Sequence, residues 1–556
     1  MAEPETTVAG YLLTRLKQLG VDHLFGVPGD FLLQFLNHVL TSEVEFVGTC
    51  NELNAAYAAD GYARIKGVGA FASTFGVGEL SALNGVAGAF AEKVPLIVIT
   101  GAPGTADFRS RPLLHHTLGD YDIPLRMFRE ITVAQTCLET GETAGAEIDR
   151  VLTACLVHKQ PVYLRIPSDV VVLRCPVPLP FEFPQQAPSD PGALAEAVTE
   201  AISWLSRSRR PVVIAGVDLN RFGFHQEFKD FLDKTGFPYV TMMLGKAVLS
   251  EHHPQFLGLY EGDLSRPEVQ VRVKSADVVL QVGNWMTDFN TGGFTARSDL
   301  DAMITVDVRS VTIGHHVYQN VFLPEFLEDL TKGLARRDPA DLDFRSASEA
   351  CLHRQTRAFH PQPQVPMTVS RLFDRMSHFL EKGAVVLAET GVSLFSAAEM
   401  LLPEGATFVG QTFYGSIGYT LGATLGACLA APGRQVVLFI GDGAFQVTGQ
   451  DLSTMVRHGL RPIVVLLNND GYTIERVICD RPYNDLQPWK YHLLPEIFGG
   501  VPGRVVTSEG ELEEALAFPW ADLALLEIRT ARTDCPEALR SAGRAMALRN
   551  QLEVLP

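Results

Sequence analysis

QVVLFIGDG, residues 435–443, runs five consecutive apolar side chains into a Gly-Asp-Gly tripeptide. A run this short, apolar on both faces and rich in Val, suits a parallel strand covered by helices on each side; a half-exposed strand would alternate. The pattern recurs along the chain. PLIVIT (95–100) and PVYLRIP (161–167) come first, followed by PVVIAGV (211–217), DVVLQVG (277–283) and MITVDV (303–308). AVVLAET (384–390), PIVVLLNN (462–469) and LALLEIRT (523–530) complete it. Helix-length segments of mixed polarity separate these runs, so the expectation is an α/β fold of three doubly wound parallel-sheet domains.

Two proline-rich stretches divide the chain. CPVPLPFEFPQQAPSDP (175–191) can hold neither helix nor central strand, and HPQPQVP (360–366) is similar in kind. The expected domains are therefore residues 1–180, 190–340 and 360–556. With 556 residues the chain is too long for one core, and its 46% apolar and 20% charged residues are those of an ordinary globular protein. A formal net charge of -18 argues against nucleic acid or an anionic membrane as partner, because both repel an acidic surface. Small-molecule chemistry is the remaining expectation. The opening MAEPETTVAG lacks the basic region and apolar core of a signal peptide, and no uninterrupted apolar run is long enough to span a bilayer, so a cytoplasmic location is expected. The eight cysteines (50, 137, 155, 175, 351, 428, 479 and 535) contain no CxxC pair and read as reduced, small apolar side chains.

Ligands of open parallel sheets sit at the carboxyl ends of the strands. Gly441-Asp442-Gly443 stands at one such end and Asn468-Asn469-Asp470 at the next, with residues 444–467 supplying a helix and a return strand between them. That spacing lets Asp442 and Asn469 lie on neighbouring strand ends. Either motif alone is equally well a turn or a helix cap. Together, one carboxylate, one amide oxygen and a backbone carbonyl near Gly471 make an all-oxygen set for a hard cation such as Mg2+. So few protein ligands leave positions for water and phosphate oxygens. A helix expected to begin near Phe445 adds N–H groups that attract an anion, which points to a magnesium diphosphate site. No GxxxxGK[ST] P-loop is present.

Gly-Asp-Gly followed at this spacing by Asn-Asn resembles the cofactor signature of thiamine-diphosphate-dependent enzymes. The resemblance implies that Asp442, the Asn469 side chain and the Gly471 carbonyl hold the cation, with Gly443, Ala444 and Thr473 beside the diphosphate. CNELNAAYAADGYAR (50–64) is similar to the family's glutamate helix. Glu52, which by itself only suits the first turn of a helix, is then implied to be the carboxylate against the aminopyrimidine. FYGSIGYT (413–420) resembles the family's cofactor loop, which implies that Gly415 accepts the pyrimidine amino group, that Ser416 lies beside it and that Ile417 wedges between the two rings. The three domains become pyrimidine-binding, middle and diphosphate-binding in turn.

FGVPGDF carries Asp30, LLHHTLGD carries His115 and His116, and GYTIE carries Glu475. A lone Asp after Pro-Gly is usually a turn residue, and paired histidines are usually surface groups. In combination around this cofactor they are similar to the active site of the non-oxidative 2-oxo acid decarboxylases, acting on pyruvate, indolepyruvate, phenylpyruvate or branched-chain 2-oxo acids. The resemblance implies that the cofactor takes the electrons left by departing carbon dioxide and that an aldehyde is released. Glu475 is expected near the carboxylate that is lost, with its pKa raised by burial and like charge. His115 and His116, oriented by Asp30, are expected to relay protons.

Some positions depart from a narrow pyruvate enzyme. Val392 stands where several pyruvate decarboxylases have an aspartate, and Ala444 where some relatives have serine. Pocket candidates are Thr390, Leu394 and Ile474, with Phe289 and Asn290 from TDFNTGG. Thr and Leu are smaller than the aromatic groups that close such pockets, so a broad range of linear or branched 2-oxo acids is expected. The alternatives are a carboligase of the acetolactate synthase type, from which the His115-His116 pair and Glu475 differ, and a narrow pyruvate, indolepyruvate or phenylpyruvate decarboxylase. A non-catalytic thiamine diphosphate binder is a further alternative, which the full set of catalytic groups disfavours. The middle block shows no cofactor fingerprint and reads as structural. The resemblance also implies a homo-oligomer, with a dimer as the minimum active unit and a homotetramer as the expected form.

Overall fold

The computed structural model describes residues 5–184, 186–338, 342 and 358–552. Cys351 and Gln185 of the first connector lie outside them. Among the described residues three large sheets are present, one in each third of the chain, with a two-stranded pair beside the first. With strands numbered in chain order, the N-terminal sheet runs 2-1-3-4-6-5: Glu45–Gly48, His23–Gly26, Gly69–Thr74, Leu96–Ala102, Val162–Pro167 and Ala134–Cys137. All its pairings are parallel. The C-terminal sheet repeats that order with Thr407–Val409, Val385–Ala388, Val436–Gly441, Ile463–Asn468, Ala524–Arg529 and Arg504–Val506, again all parallel.

The middle sheet departs from the all-parallel expectation. Its order is 3-2-1-4-5-6-7, and the last two strands, Ser310–Ile313 and His316–Gln319, join antiparallel to Met303–Val306 and to each other. The reason is local. Asp307 to Arg309 and Gly314-His315 leave only tight turns between these strands, too short for the crossover that a parallel pair requires. The connectors are mostly irregular, as expected, although Arg174–Pro176 opens the first one as an edge strand paired with Glu5–Thr7. An edge tolerates its proline.

The N- and C-terminal domains are joined by equivalent helices, each following strand 2 of its sheet. Glu52–Lys66 (ELNAAYAADGYARIK) is capped by Asn51, whose side chain accepts from Asn54 N–H, and ends at left-handed Gly67. Tyr419–Ala430 (YTLGATLGACLA) packs against it. Both helices are rich in Ala and Gly because their backbones nearly touch. A Cβ on Gly426 would stand 1.9 Å from the Ala58 carbonyl oxygen, and one on Gly61 would stand 2.3 Å from that of Ala423. One continuous apolar core therefore runs through both domains, from Phe25 and Val98 to Leu438 and Leu466. At its margin Arg64 pairs with Asp60 at 2.6 Å and with Glu92 at 2.9 Å.

The middle domain has its own core and sends Met243 and Leu259 into the far core of the C-terminal domain. Buried Lys246 there bonds Glu251 at 2.7 Å and the Met400 carbonyl at 2.8 Å. No helix among the described residues is long and apolar enough to cross a membrane.

The close helix contact sets a test of stability. In an open helix, Gly→Ala gains about 1 kcal/mol; at Gly426 the added methyl group meets backbone that cannot swing aside, at a cost of about 1 to 3 kcal/mol. Gly426→Ala is expected to unfold at a lower temperature than the wild type in calorimetry. An unchanged midpoint would show that the two helices separate freely.

Candidate active site

In sheets of the order 2-1-3-4, the crevice opens where the chain leaves strands 1 and 3 in opposite directions. In the C-terminal sheet these strand ends carry Glu389-Thr390-Gly391 and Asp442-Gly443; in the N-terminal sheet they carry Val27 to Asp30 and Phe75-Gly76. Asp30, Thr390, Asp442 and Gly443 thus sit at the places the topology favours.

Asp442 is the first residue of helix Asp442–Thr448, three residues before the expected start, because Gly441 already adopts the extended N-cap conformation. Its carboxylate accepts from Gly443 N–H at 2.8 Å and Gly471 N–H at 3.1 Å. Burial nevertheless raises its pKa to about 6. Beside it, Asn469 is buried and its side-chain oxygen has no hydrogen-bond partner. An ionised acid and an unpartnered amide oxygen are each costly when buried, and a cation between them relieves both. The donor set therefore fits a hard metal.

Gly471 has φ +141, and a Cβ there would stand 2.1 Å from the Asn484 carbonyl oxygen. Its own carbonyl accepts from Thr473 N–H at 3.1 Å. Asp470, with φ +57, is the turn residue its position suggested. Buried Arg476 clamps this loop, donating to the Asn469 carbonyl at 3.2 Å, the Asp470 carbonyl at 2.6 Å and Asp485 at 2.7 Å. Arg476 was not anticipated, since an arginine in a short helix ordinarily reads as solvated. The Thr473 hydroxyl is committed to the Arg532 carbonyl at 2.8 Å.

The 413–418 loop is held from the N-terminal domain. One oxygen of Glu92 accepts from Phe413 and Tyr414 N–H at 2.8 and 3.2 Å, and Gln411 accepts from Ser416 N–H at 2.8 Å. The Ser416 hydroxyl lies 2.7 Å from Tyr57 OH and 2.9 Å from the Asn84 amide. Glu92, Tyr57 and Asn84 were missed because their partners lie far away in sequence; Gln411, five residues from Ser416, stands in no motif that marks it. Gly415 has φ +67 at the turn of this loop, and Ile417 is exposed.

Glu52 is half-buried in the first turn of its helix, and a Cβ on Gly78 would come within 2.9 Å of its carboxylate. Burial raises its pKa against the pull of its own backbone N–H and the Ser81 hydroxyl. Asp30 joins the two histidines: His115 Nε2 stands 2.7 Å from one carboxylate oxygen and His116 Nε2 3.7 Å from the other. His115 stacks on Phe31 with ring centroids 5.0 Å apart, and His116 takes φ +67. Only the His115–Asp30 pair is within hydrogen-bond distance; His116 stands beside it.

Glu475 is exposed on helix Thr473–Ile478, so the burial expected of it is absent within one chain. That face points outward because Thr473 and Arg476 occupy the inner one. Among the described residues, no hydrogen bond or ion pair links Glu475 or Asp442 to Glu52, Asp30 or the histidines. The pocket candidates also divide. Leu394 is fully buried against Gly410, and Asn290 spends both ends of its amide on Leu244 N–H and the Trp285 carbonyl. Thr390, Ile474 and Phe289 keep surface that another molecule can touch. Phe289 reaches the C-terminal domain, edge-on to Phe395 at 6.0 Å.

Three descriptions of the thiamine pyrophosphate enzymes match the chain: the N-terminal TPP binding domain over residues 6–123, the central domain over 198–332 and the C-terminal TPP binding domain over 389–522. An alpha-keto-acid decarboxylase of Mycolicibacterium paratuberculosis is 40% identical over 553 residues, covering 97% of this chain and 96% of that protein. The chain belongs to the thiamine-diphosphate-dependent 2-oxo acid decarboxylase family. A pyruvate decarboxylase of Candida glabrata is 39% identical over 512 residues, covering 89% of each chain. Pyruvate decarboxylase isozyme 3 of Saccharomyces cerevisiae is 36% identical, covering 98% of this chain and 99% of that one. The family's cofactor is thiamine diphosphate and its chemistry is that of a carboxy-lyase.

If the unpartnered Asn469 oxygen and the buried Asp442 wait for a cation, removing either weakens its uptake. Asp442→Asn keeps the shape and removes the charge. Calorimetric titration with Mg2+ and thiamine diphosphate is expected to show at least a roughly tenfold loss of affinity, the size expected for a lost charged interaction of this kind. Asn469→Ala is expected to act in the same direction.

Proposed function

We propose that the chain decarboxylates a broad range of 2-oxo acids to aldehyde and carbon dioxide, using thiamine diphosphate held by Mg2+ on Asp442, the Asn469 side chain and the Gly471 carbonyl. The observation that carries the cofactor site is the buried, unpartnered Asn469 oxygen beside the buried Asp442 carboxylate. When bound, the cofactor supplies the sink for the electron pair left by carbon dioxide. Gly443, Ala444 and Thr473 line the diphosphate, and Thr390, Gly415, Ser416 and Ile417 receive the aminopyrimidine.

Glu52 holds a proton at the pyrimidine nitrogen, a role supported by its half-buried position and raised pKa. Asp30 orients His115 and His116, which pass protons to and from the substrate oxygen. Glu475 stands by the departing carboxylate and supplies the proton that takes its place on the carbon. Thr390 and Ile474, with Phe289 at the margin, leave room for side chains longer than methyl. One methylene is worth only about 1 to 3 kcal/mol in an apolar pocket, so neighbouring chain lengths are accepted together.

Asp30, His115 and Glu475 are exposed in one chain, which is unsuited to chemistry that must exclude water. Val77, Leu113, Leu118, Ile417, Val447 and Trp489 are exposed apolar groups in the same two regions. These observations support an active dimer in which the N-terminal set of one chain meets the diphosphate set of another, assembled further as a homotetramer. Domain limits of 1–180, 190–340 and 360–556 accord with the three separate sheets. The seven described cysteines are all free, which supports work in the reducing cytoplasm.

A substrate panel tests this reading. Pyruvate, 2-oxoisovalerate, longer linear 2-oxo acids, phenylpyruvate, indolepyruvate and benzoylformate are each supplied with cofactor and Mg2+, and products are identified. Several aldehydes are expected; acetolactate as the main product from pyruvate would sink the proposal. Glu52→Gln is expected to lower turnover by roughly a hundredfold or more on every accepted acid, the usual scale of proton-transfer catalysis.

A further inference from the structure

Glu389 has no part in the chemistry assigned above, yet it is a buried carboxylate at the switch point of the C-terminal sheet. Only 1% of its surface is exposed, and no cation pairs with it among the described residues. Burying an acid without a positive partner is costly unless donors surround it, and here they do. One oxygen accepts from Thr390 N–H at 3.0 Å. The other accepts from Thr420 N–H at 3.1 Å and from the Thr420 hydroxyl at 2.6 Å, with Gly418 N–H adding to the set.

The two sides of this carboxylate hold different pieces of backbone. Thr390 follows strand Val385–Ala388, whereas Gly418 to Thr420 are where the 413–418 loop enters its helix. That helix has Gly418 as N-cap and so lacks a side chain of its own to satisfy the first N–H groups. Glu389 supplies the missing cap from another segment and places negative charge at the positive end of the helix. Glu92 and Gln411 fix the entry and middle of the loop; Glu389 fixes its exit and ties that exit to Thr390.

We propose that Glu389 is a positioning residue for the cofactor, its carboxylate setting the distance between Thr390 and the 413–418 loop and thereby the shape of the slot that takes the aminopyrimidine. This rests on the reading of Thr390, Gly415 and Ile417 as cofactor contacts. Burial pushes the Glu389 carboxyl up to about 7, a cost that a simple hydroxyl cap would avoid. A hydroxyl could not span both segments.

Glu389→Gln conserves volume, but its single carbonyl oxygen can accept from one side only, and its NH2 group then faces an N–H donor. In the cofactor-free protein, peptides covering residues 413–422 are expected to exchange amide hydrogen faster than in wild type. Quenching of tryptophan fluorescence by thiamine diphosphate with Mg2+ is expected to give a Kd raised roughly tenfold to a hundredfold. Near-ultraviolet circular dichroism of the bound cofactor should change, while KM for the 2-oxo acid at saturating cofactor changes less than kcat. Should Glu389→Gln fail to fold, Thr420→Val, which removes one donor, is expected to shift exchange and Kd in the same direction, and Thr420→Ser to restore both. Wild-type Kd and dichroism in the folded Gln variant, or in Thr420→Val, overturn the inference; so does faster exchange with unchanged cofactor affinity. Full activity in Glu52→Gln would instead strike at the proposed function, because exchange in the cofactor-free protein does not depend on Glu52.

Discussion

The near-contact of two helix backbones is the constraint on which the rest of the molecule depends. Glu52–Lys66 and Tyr419–Ala430 can approach so closely only because Ala and Gly line both faces. That approach merges two cores into one. It also brings Tyr57, Asn84 and Glu92 of the first domain under the 413–418 loop of the third. The candidate cofactor loop is therefore shaped by side chains some 320 to 360 positions away in the sequence. A larger residue in the seam would disturb the loop without touching it.

Much of the architecture was legible from apolar runs alone. Each quoted run became a strand, because a segment apolar on both faces has few other stable placements. The Gly-Asp-Gly and Asn-Asn pair was equally readable: both motifs sit at ends of adjacent parallel strands, where Leu467 lies opposite Gly441. The antiparallel margin of the middle sheet was not, since SVTI and HVYQ are short and their direction depends on turn length rather than on composition.

Within the candidate site, residues that stand in local motifs were legible as candidates and those that act across the fold were not. Asp442, Asn469 and Glu52 stand in motifs readable from their neighbours in sequence. Arg476, Glu92 and Glu389 are ordinary charged residues until folding buries them beside distant backbone. Exposure was not legible either: within one chain Leu394 is fully buried and Asn290 bonds internally, whereas Glu475 is exposed. Burial is set by the whole fold, and a local motif carries little information about it.

The first and third sheets share one strand order, and they meet through the helix that follows strand 2 in each. A chain built this way reads as a pair of like halves with the middle domain inserted between them in sequence. The two proline-rich connectors then mark the seams of the splice. On that view the middle domain can vary on its far side, away from Met243, Leu259, Lys246 and Arg221, which tie it to the other two domains, while the central contact stays the same.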